Sequence, residues 1–420
     1  MHLIQEFTNT SGRLVPSDRL PIKSIEKLPL PYTGSKKKLA HSINTALVRN
    51  NIQFDSILDV FSGSASVSLM FKMMGKKVIA NDLLTCSYLN AVSFVENEGI
   101  KLTDGEQEYL LHNQNRNKGS FVEDNYLGTG FRDIGRTCRF NKFTRNECKH
   151  LDNFRANVDD LNSFEAQALS LIANQSVVMR LPFGNVDASL DILKHRKRQE
   201  STYGKRSDRH DRRIGIYYDD NYDLNFSKWF PKYANDFAVC VPANTNPVVP
   251  GHRTLLENIG HRRHLGFGAP DGSTKKYFSS NMDATELLKN GCNVDCIYFD
   301  PPYAGTVGSS NYASLYRFFE EYIYSKPLEE MSHITQSSYK FTQKKDYEKN
   351  FLEMLDAANN IPIWLFSYND KSWATIDDIC KSIRQFRSVK AELLNDDYRY
   401  KYQEKRTGKT SEYLIIATNE

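Results

Sequence analysis

The sequence predicts an open, mostly parallel α/β sheet with a second domain inserted in its middle. Three observations carry that prediction. An apolar run, a glycine turn, an apolar helix and a second apolar run follow one another between Ser56 and Asp82. Apolar runs separated by helical stretches return between Lys276 and Ala417. Between these regions lies a polar, aromatic and basic stretch in which strands are hard to find. Strands alternating with helices build parallel, doubly wound sheets, and a long break in that alternation marks an insertion.

Bulk properties bound the answer. At 420 residues the chain is too long for one small core, so more than one domain is expected. The expected division is an N-terminal arm at 1–28, a sheet domain at 29–95 and 276–420, and an insertion at 96–275. The net charge of +4 does not mark a nucleic-acid binder, so the distribution of charge matters more than its sum. The seven cysteines are scattered without a CxxC pair, which argues against a disulfide framework and a structural zinc site. A reducing cytoplasm is the expected compartment. Met1 to Arg19 has no apolar signal core, and no stretch approaches the ~18 apolar residues of a membrane span. The ten histidines show no metal-ligand spacing, and no metal is expected.

Taken in order, Ser56-Ile57-Leu58-Asp59-Val60-Phe61 reads as a buried strand, and Ser62 to Ser66 as a turn of small residues. Val67 to Met74 reads as an apolar helix that Gly75 ends. Lys77 to Ala80 is the second strand, followed by Asn81-Asp82. After the insertion, Lys276-Tyr277-Phe278 reads as a strand and Asp283 as the opening of a short helix. Val294 to Phe299 is a strand that ends on Asp300-Pro301-Pro302-Tyr303. Ile361 to Phe366 is another, ending on Ser367-Tyr368-Asn369-Asp370, and Tyr413 to Ala417 is the last.

The tetrapeptide Asp300 to Tyr303 carries the most chemistry. It follows an apolar strand, and open α/β sheets bind ligands at the carboxyl ends of their strands. Pro301 and Pro302 stiffen the turn and remove two backbone donors. What remains is a set of acceptors, the Asp300 carboxylate and the Pro301 carbonyl, beside the flat face of Tyr303. Such a set receives a planar molecule bearing an NH2 group. The adenine amine is a poor nucleophile because its lone pair is delocalised into the ring. Two acceptors on its hydrogens favour a localised lone pair, which then attacks an electrophilic methyl, with catalysis from positioning and fixed dipoles. The bland alternative is a proline-rich turn that merely ends a strand.

Asp59-Val60-Phe61-Ser62-Gly63-Ser64-Ala65 is the second motif. A tight glycine turn after the first strand lets a nucleotide-like ligand approach the backbone, although NAD-binding proteins share such turns. Ala65 stands where a second glycine is usual. Asp82 lies 23 residues after Asp59, a spacing suited to ribose hydroxyls; a helix N-cap is the ordinary alternative. Lys36-Lys37-Lys38 lacks the glycine spacing of a phosphate loop. Lys194 to Arg213 holds only three acids among many bases, so it suits DNA phosphates or a solvated loop. Cys240-Val241-Pro242 is not the Pro-Cys pair of a cytosine-C5 nucleophile, and Cys240 reads as a structural thiol.

The glycine turn, the spaced acid and Asp300 to Tyr303 together resemble the Dam-type, D12 class of DNA adenine-N6 methyltransferases. Further segments match that family. Pro31-Tyr32-Thr33-Gly34-Ser35-Lys36 resembles its N-terminal cofactor motif, with Thr33 and Ser35 departing from the commoner small residues. Asn281-Met282-Asp283 lies where the family has an acid for the cofactor's adenine. Asn311-Tyr312 to Tyr316-Arg317-Phe318 resembles the region after the catalytic loop. Ser367-Tyr368-Asn369 resembles the motif whose aromatic packs near the target base, and Ser411-Glu412-Tyr413-Leu414 is also familiar. In the insertion only Arg139-Phe140-Asn141 and Pro182-Phe183-Gly184 show a similarity.

The motif order resembles the alpha arrangement, with the recognition domain in the middle. The resemblance implies the methyltransferase-type, Rossmann-like twisted sheet with an inserted target-recognition domain. It implies S-adenosylmethionine as cofactor, held by Tyr32, Gly34, Lys36, Asp59, Phe61, Ser62, Gly63, Ser64, Asp82, Asp283 and Asp300. Asp300, Pro301, Pro302 and Tyr303 are the implied catalytic residues, acting on an adenine flipped from duplex DNA. Arg139, Asn141, Lys194, Arg196, Lys197, Arg198, Lys205, Arg206 and Tyr312 are the expected DNA contacts. A restriction-modification setting, with a cognate endonuclease, follows from the same resemblance. The rival readings are a methyltransferase of cytosine N4, RNA or a protein amide, a catalytically silent nucleic-acid binder, and an NAD-dependent oxidoreductase. Related cytosine-N4 enzymes tend to carry Ser, and protein-glutamine enzymes Asn, where this chain has Asp300. The oxidoreductase reading leaves Asp300 to Tyr303 unexplained.

Overall fold

Seven strands form one sheet in the order β3-β2-β1-β4-β5-β7-β6. They are β1 (Ser56–Asp59), β2 (Lys77–Asn81), β3 (Tyr277–Ser280), β4 (Cys296–Phe299), β5 (Ile363–Asn369), β6 (Ser388–Tyr398) and β7 (Thr410–Thr418). The first five run parallel, and β7 lies antiparallel between β5 and β6. The structure is a computed structural model of the chain. It describes residues 25–26, 32, 34–115, 118–128, 138–181, 191–192, 194, 223–238, 253–263, 276–302, 312–337, 340–341, 344–370, 372, 374–398 and 410–419.

The chain divides into two compact units. One comprises Met1–Glu98, Ile259–Tyr316 and Leu328–Glu420, and contains the sheet. The other comprises Gly99–Asn258 and Arg317–Pro327. The sequence places an insertion at 96–275 and leaves 317–327 with the sheet. The helix Arg317–Tyr324 instead packs its buried Phe318, Glu321 and Tyr322 within the second unit.

The sequence signals and the strands agree for a physical reason. Parallel strands are covered on both faces and therefore read as near-continuous apolar runs. All four residues of β4 are buried, as are Ile57 to Asp59 of β1. One face of the sheet packs Leu58, Ile297, Phe299, Trp364, Phe366 and Ile415 under the helices Ala284–Lys289, Lys344–Ala357 and Ile376–Ile383. The strand that sequence reasoning missed is β6. Its segment, SVKAELLNDDY, is mostly polar, and it forms the sheet edge with Leu393 49% exposed. An edge strand has only one neighbour and needs no continuous apolar run.

The strand order reverses between β1 and β4, which makes their carboxyl ends the topological switch point of the sheet. The turn after β1 and the segment after β4 both open there. The helix Thr85–Ala91 runs into a π-helical turn at Val92–Glu96. Lys72 stabilises that turn: its buried Nζ donates to the carbonyls of Phe94, Val95 and Asn97 at 3.2, 2.6 and 2.7 Å. The same helix reaches the glycine turn, because Asn90 Nδ2 donates to the Gly63 carbonyl at 3.0 Å.

The second unit is helical among the described residues, with one isolated bridge between Leu127 and Phe143. Its helices Asp104–His112 and Arg145–Val158 both open on Thr–Glu capping boxes. Glu321 is fully buried and accepts from Tyr126 Oη at 2.6 Å, with Arg317 and Arg139 at 3.1 and 3.4 Å. Among the described residues, no helix is long and apolar enough to cross a membrane.

Lys72→Met should destabilise the sheet unit. It leaves buried carbonyls at the π-turn without their donor, a loss of roughly 1–3 kcal/mol. Urea unfolding followed by circular dichroism measures it, and an unchanged midpoint would show that the turn does not need the ammonium.

Candidate active site

The turn after β1 is built for close approach to its backbone. Gly63 has φ +50°, and a Cβ there would stand 2.9 Å from Cε1 of Tyr32. Glycine is therefore required by conformation and by space. Ala65 also adopts the left-handed region, at φ +56°, which explains why glycine is usual at that position. Asp82, at the end of β2, braces the turn. Its Oδ2 accepts from Gly63 N–H at 2.8 Å and its Oδ1 from Leu84 N–H at 2.9 Å. The carboxylate is thus not the N-cap of a helix; it is a bridge between two loops. Asn81 and Asn281 complete the frame. Asn81 Nδ2 donates to the Val60 and Met282 carbonyls, and Asn281 Nδ2 to those of Asp82 and Leu83. Sequence reasoning assigned neither asparagine a role; their positions, the last residue of β2 and the first after β3, are the signal.

Asp59 is buried at the end of β1 and accepts from Ser68 Oγ at 2.5 Å. Its Oδ1 is buried without a hydrogen-bond partner, as is Ser62 Oγ. Burial pushes the Asp59 carboxyl up to about 7. The Ser68 hydrogen bond opposes that rise, and the nearby Asp300 and Asp82 charges add to it. Ser35, Ser64 and Ser66 form a hydroxyl cluster with separations of 3.0 to 3.5 Å.

The centre of the site is an ion pair. Lys36 Nζ donates to both Asp300 oxygens, at 2.8 and 2.9 Å. Lys36 is 3% exposed. Burial alone would lower its pKa, but Asp300, and after it Glu412, carry it above the ordinary lysine value. The sequence offers Lys36 as a cofactor contact, and the structure joins it to the first residue of the Asp300 to Tyr303 motif. Pro301 is buried and Pro302 half-buried. Beneath them, Tyr298 Oη donates to Ser367 Oγ at 2.7 Å.

A stack of tyrosines lines the N-terminal motif. The Tyr32 ring lies 5.0 Å from Tyr316 and 6.3 Å from Tyr312, with interplanar angles of 15° and 23°. Tyr32 Oη is 3.3 Å from Ser87 Oγ. Gly34 has φ +84°, and a Cβ there would meet Tyr312 Oη at 2.9 Å. Tyr312, expected at the DNA, is placed in this stack; Tyr316 was not singled out as a site residue.

The other expected residues make contacts of their own. Asp283 caps the helix Ala284–Lys289, accepting from Thr285 and Glu286 N–H, and pairs with Lys340 at 2.9 Å. Phe61 packs edge-on to Phe341 at 5.6 Å. Tyr368 is buried and its Oη donates to the Ala374 carbonyl at 2.9 Å. In the second unit Arg139 is exposed and lies 5.0 Å over the Phe140 ring, and Lys194 is exposed. Asn141 is 1% exposed, so as placed it faces the interior of its unit and not solvent. Thr33, Tyr303, Asn311, Arg196, Lys197, Arg198, Lys205, Arg206, Cys240 and 182–184 lie outside the described residues, as does the arm 1–28 apart from 25–26.

A glycine turn braced by an acid lies beside an Asp-Pro-Pro segment at the switch point of a parallel sheet, where α/β enzymes place their active sites. The family model of D12 class N6 adenine-specific DNA methyltransferases matches residues 32–182. Over those residues the chain is similar to that family. It is also similar to the type II methyltransferase M2.HphI of Haemophilus parahaemolyticus, with 24% identity over 390 residues, spanning 92% of this chain and 97% of the relative.

The Asp59 environment predicts a pH effect. In the folded chain its pKa stands above the ~3.9 of a free aspartate, so the folded state keeps a proton that the unfolded state has lost. Its contribution to stability is full below the unfolded value and is lost as pH rises through about 7. Asp59→Asn should therefore lose less Tm than the wild type between pH 5 and pH 8. Equal slopes in a calorimetric series would refute the assignment.

Proposed function

We propose that the chain methylates the N6 amine of an adenine flipped from duplex DNA, using S-adenosylmethionine, as the modification enzyme of a type II restriction-modification system. The observation that carries the chemistry is the Lys36–Asp300 pair at the switch point, which fixes a carboxylate where a planar amine would meet the cofactor. The family match supports methyl transfer to adenine. The name of the relative supports the restriction-modification setting, in which a cognate endonuclease cuts the same sequence. Such an enzyme would work in the cytoplasm.

The residues present fit S-adenosylmethionine. The cofactor carries an ammonium and a sulfonium, and the site gathers the carboxylates of Asp59, Asp82 and Asp300. The buried, unpartnered Oδ1 of Asp59 and Oγ of Ser62 are polar atoms that suit a ligand. Asp82, held beside the turn by the Gly63 and Leu84 N–H groups, is the acid assigned to the ribose hydroxyls. Gly63 opens the backbone, Phe61 supplies an apolar edge and Asp283 an acceptor for the adenine. Tyr32, Gly34 and Ser64 complete the proposed set of cofactor contacts. When bound, the cofactor supplies an electrophilic methyl group on a sulfonium.

The rest is the work of this chain. Asp300 and the Pro301 carbonyl accept the two amine hydrogens of the target base, which localises its lone pair. Pro302 keeps that carbonyl in place, and Tyr303 stacks on the base. The amine becomes acidic once methylated, so Asp300 need not be a strong base for the proton to leave. Arg139, Lys194 and the basic run Arg196, Lys197, Arg198, Lys205 and Arg206 would hold phosphates of the duplex.

Incubation of the full chain with methyl-labelled S-adenosylmethionine and unmethylated duplex DNA should yield N6-methyladenine by nucleoside mass spectrometry. N4-methylcytosine would overturn the base assignment, and no product would overturn the activity. Asp300→Ala should lower turnover by at least roughly 10²–10³-fold while the cofactor still binds. Near-normal turnover would remove its role. Tyr303→Ala should weaken activity through lost base stacking, worth ~1–3 kcal/mol. A fully active variant would refute that contact.

A further inference from the structure

Strand register brings a second carboxylate to the reaction centre. β1 pairs Asp59 with Tyr298 of β4, and β4 pairs Tyr298 with Leu365 of β5. β5 pairs Ser367 with Leu414 and Asn369 with Glu412 of β7. Partners in register share a face, and successive residues of a strand alternate. Asp59, Tyr298, Ser367, Asn369 and Glu412 therefore lie on one face, opposite the apolar one that carries Phe299, Phe366 and Ile415. Asp300 follows Tyr298 by two residues on that same side. Glu412 is fully buried, and its charge acts on Lys36, Tyr298 and Tyr312.

This arrangement answers a difficulty in the chemistry, and it rests on the methyl-transfer reading above. Lys36 donates to both oxygens of Asp300, which weakens that carboxylate as an acceptor. Methyl transfer builds positive charge on the amine nitrogen, and a lysine–aspartate pair alone sums to zero. With Glu412 the group carries a net negative charge.

We propose that Glu412 is a positioning residue acting through Lys36: it offsets the lysine charge so that Asp300 keeps its electron density for the target amine. Glu412→Gln then lowers the rate of transfer without loosening either substrate. Steady-state kinetics with the full chain, labelled S-adenosylmethionine and unmethylated duplex DNA measure it. The expected result is a fall in kcat of about tenfold or more with both KM values little changed. Glu412→Asp, which keeps the charge, recovers part of the loss. In a Lys36→Met background, Glu412→Gln costs less than about twofold further, because the residue it acts through is gone.

An active wild type with Glu412→Gln at full kcat overturns the inference alone. So does an equal fold-loss in the Lys36→Met background. A wild type that transfers no methyl group to DNA overturns the functional reading and this inference with it. If Glu412→Gln melts too low to assay, stability decides instead. The double variant should melt at or above Lys36→Met, since it removes a buried carboxylate whose charge Lys36 no longer offsets. A double variant that melts lower by the full Glu412→Gln decrement refutes the coupling.

Discussion

The ion pair of Lys36 with Asp300 joins segments 264 residues apart, and most of the site is arranged around it. It ties the N-terminal motif to the end of β4, across the point where the strand order reverses. Breaking a buried pair by removing one partner typically costs about 3–5 kcal/mol, because the survivor is left charged in the interior. An apolar pair of similar volume would hold two segments together as well or better. Stability alone therefore does not account for charges at this place, and chemistry does.

The same centre gathers more negative charge than a fold would choose for itself. Asp59, Asp82 and Asp300 act on one another within the site. Two of the three are compensated by named groups: Asp300 by Lys36, and Asp82 by the N–H groups of Gly63 and Leu84. Asp59 has only the Ser68 hydroxyl and the Phe61 N–H, and its carboxyl rises towards neutrality accordingly. A cationic ligand reverses that balance.

Much of this was legible in the sequence, and what was not has identifiable causes. β1, β2, β4 and β5 are apolar because both their faces are covered, so period and composition marked them. β6 is an edge strand with polar residues throughout, and nothing in its composition separates it from a loop. The glycine turn and Asp300 were visible because their chemistry is local. The partner of Lys36 was not, because a contact over 264 residues leaves no local trace. Asp82 illustrates the middle case: spacing singled it out, but whether it caps a helix or bridges two loops depends on where β1 ends. Asn141 and Tyr312 were proposed from the resemblance, which carries no information on the burial of the one or the ring stacking of the other.

The tyrosine stack gains its meaning from chain connectivity. Tyr32 and Tyr316 are parallel at 5.0 Å, with Tyr312 beside them, and these rings belong to the N-terminal motif and to the segment after residue 311. Asp300 is fixed on the other side by Lys36, four residues from Tyr32 in the chain. The N-terminal motif therefore holds two points of the fold at once: Asp300 by charge and the helix that opens at Tyr312 by aromatic contact. Gly34 is required within that motif because Tyr312 Oη occupies the space a side chain would take.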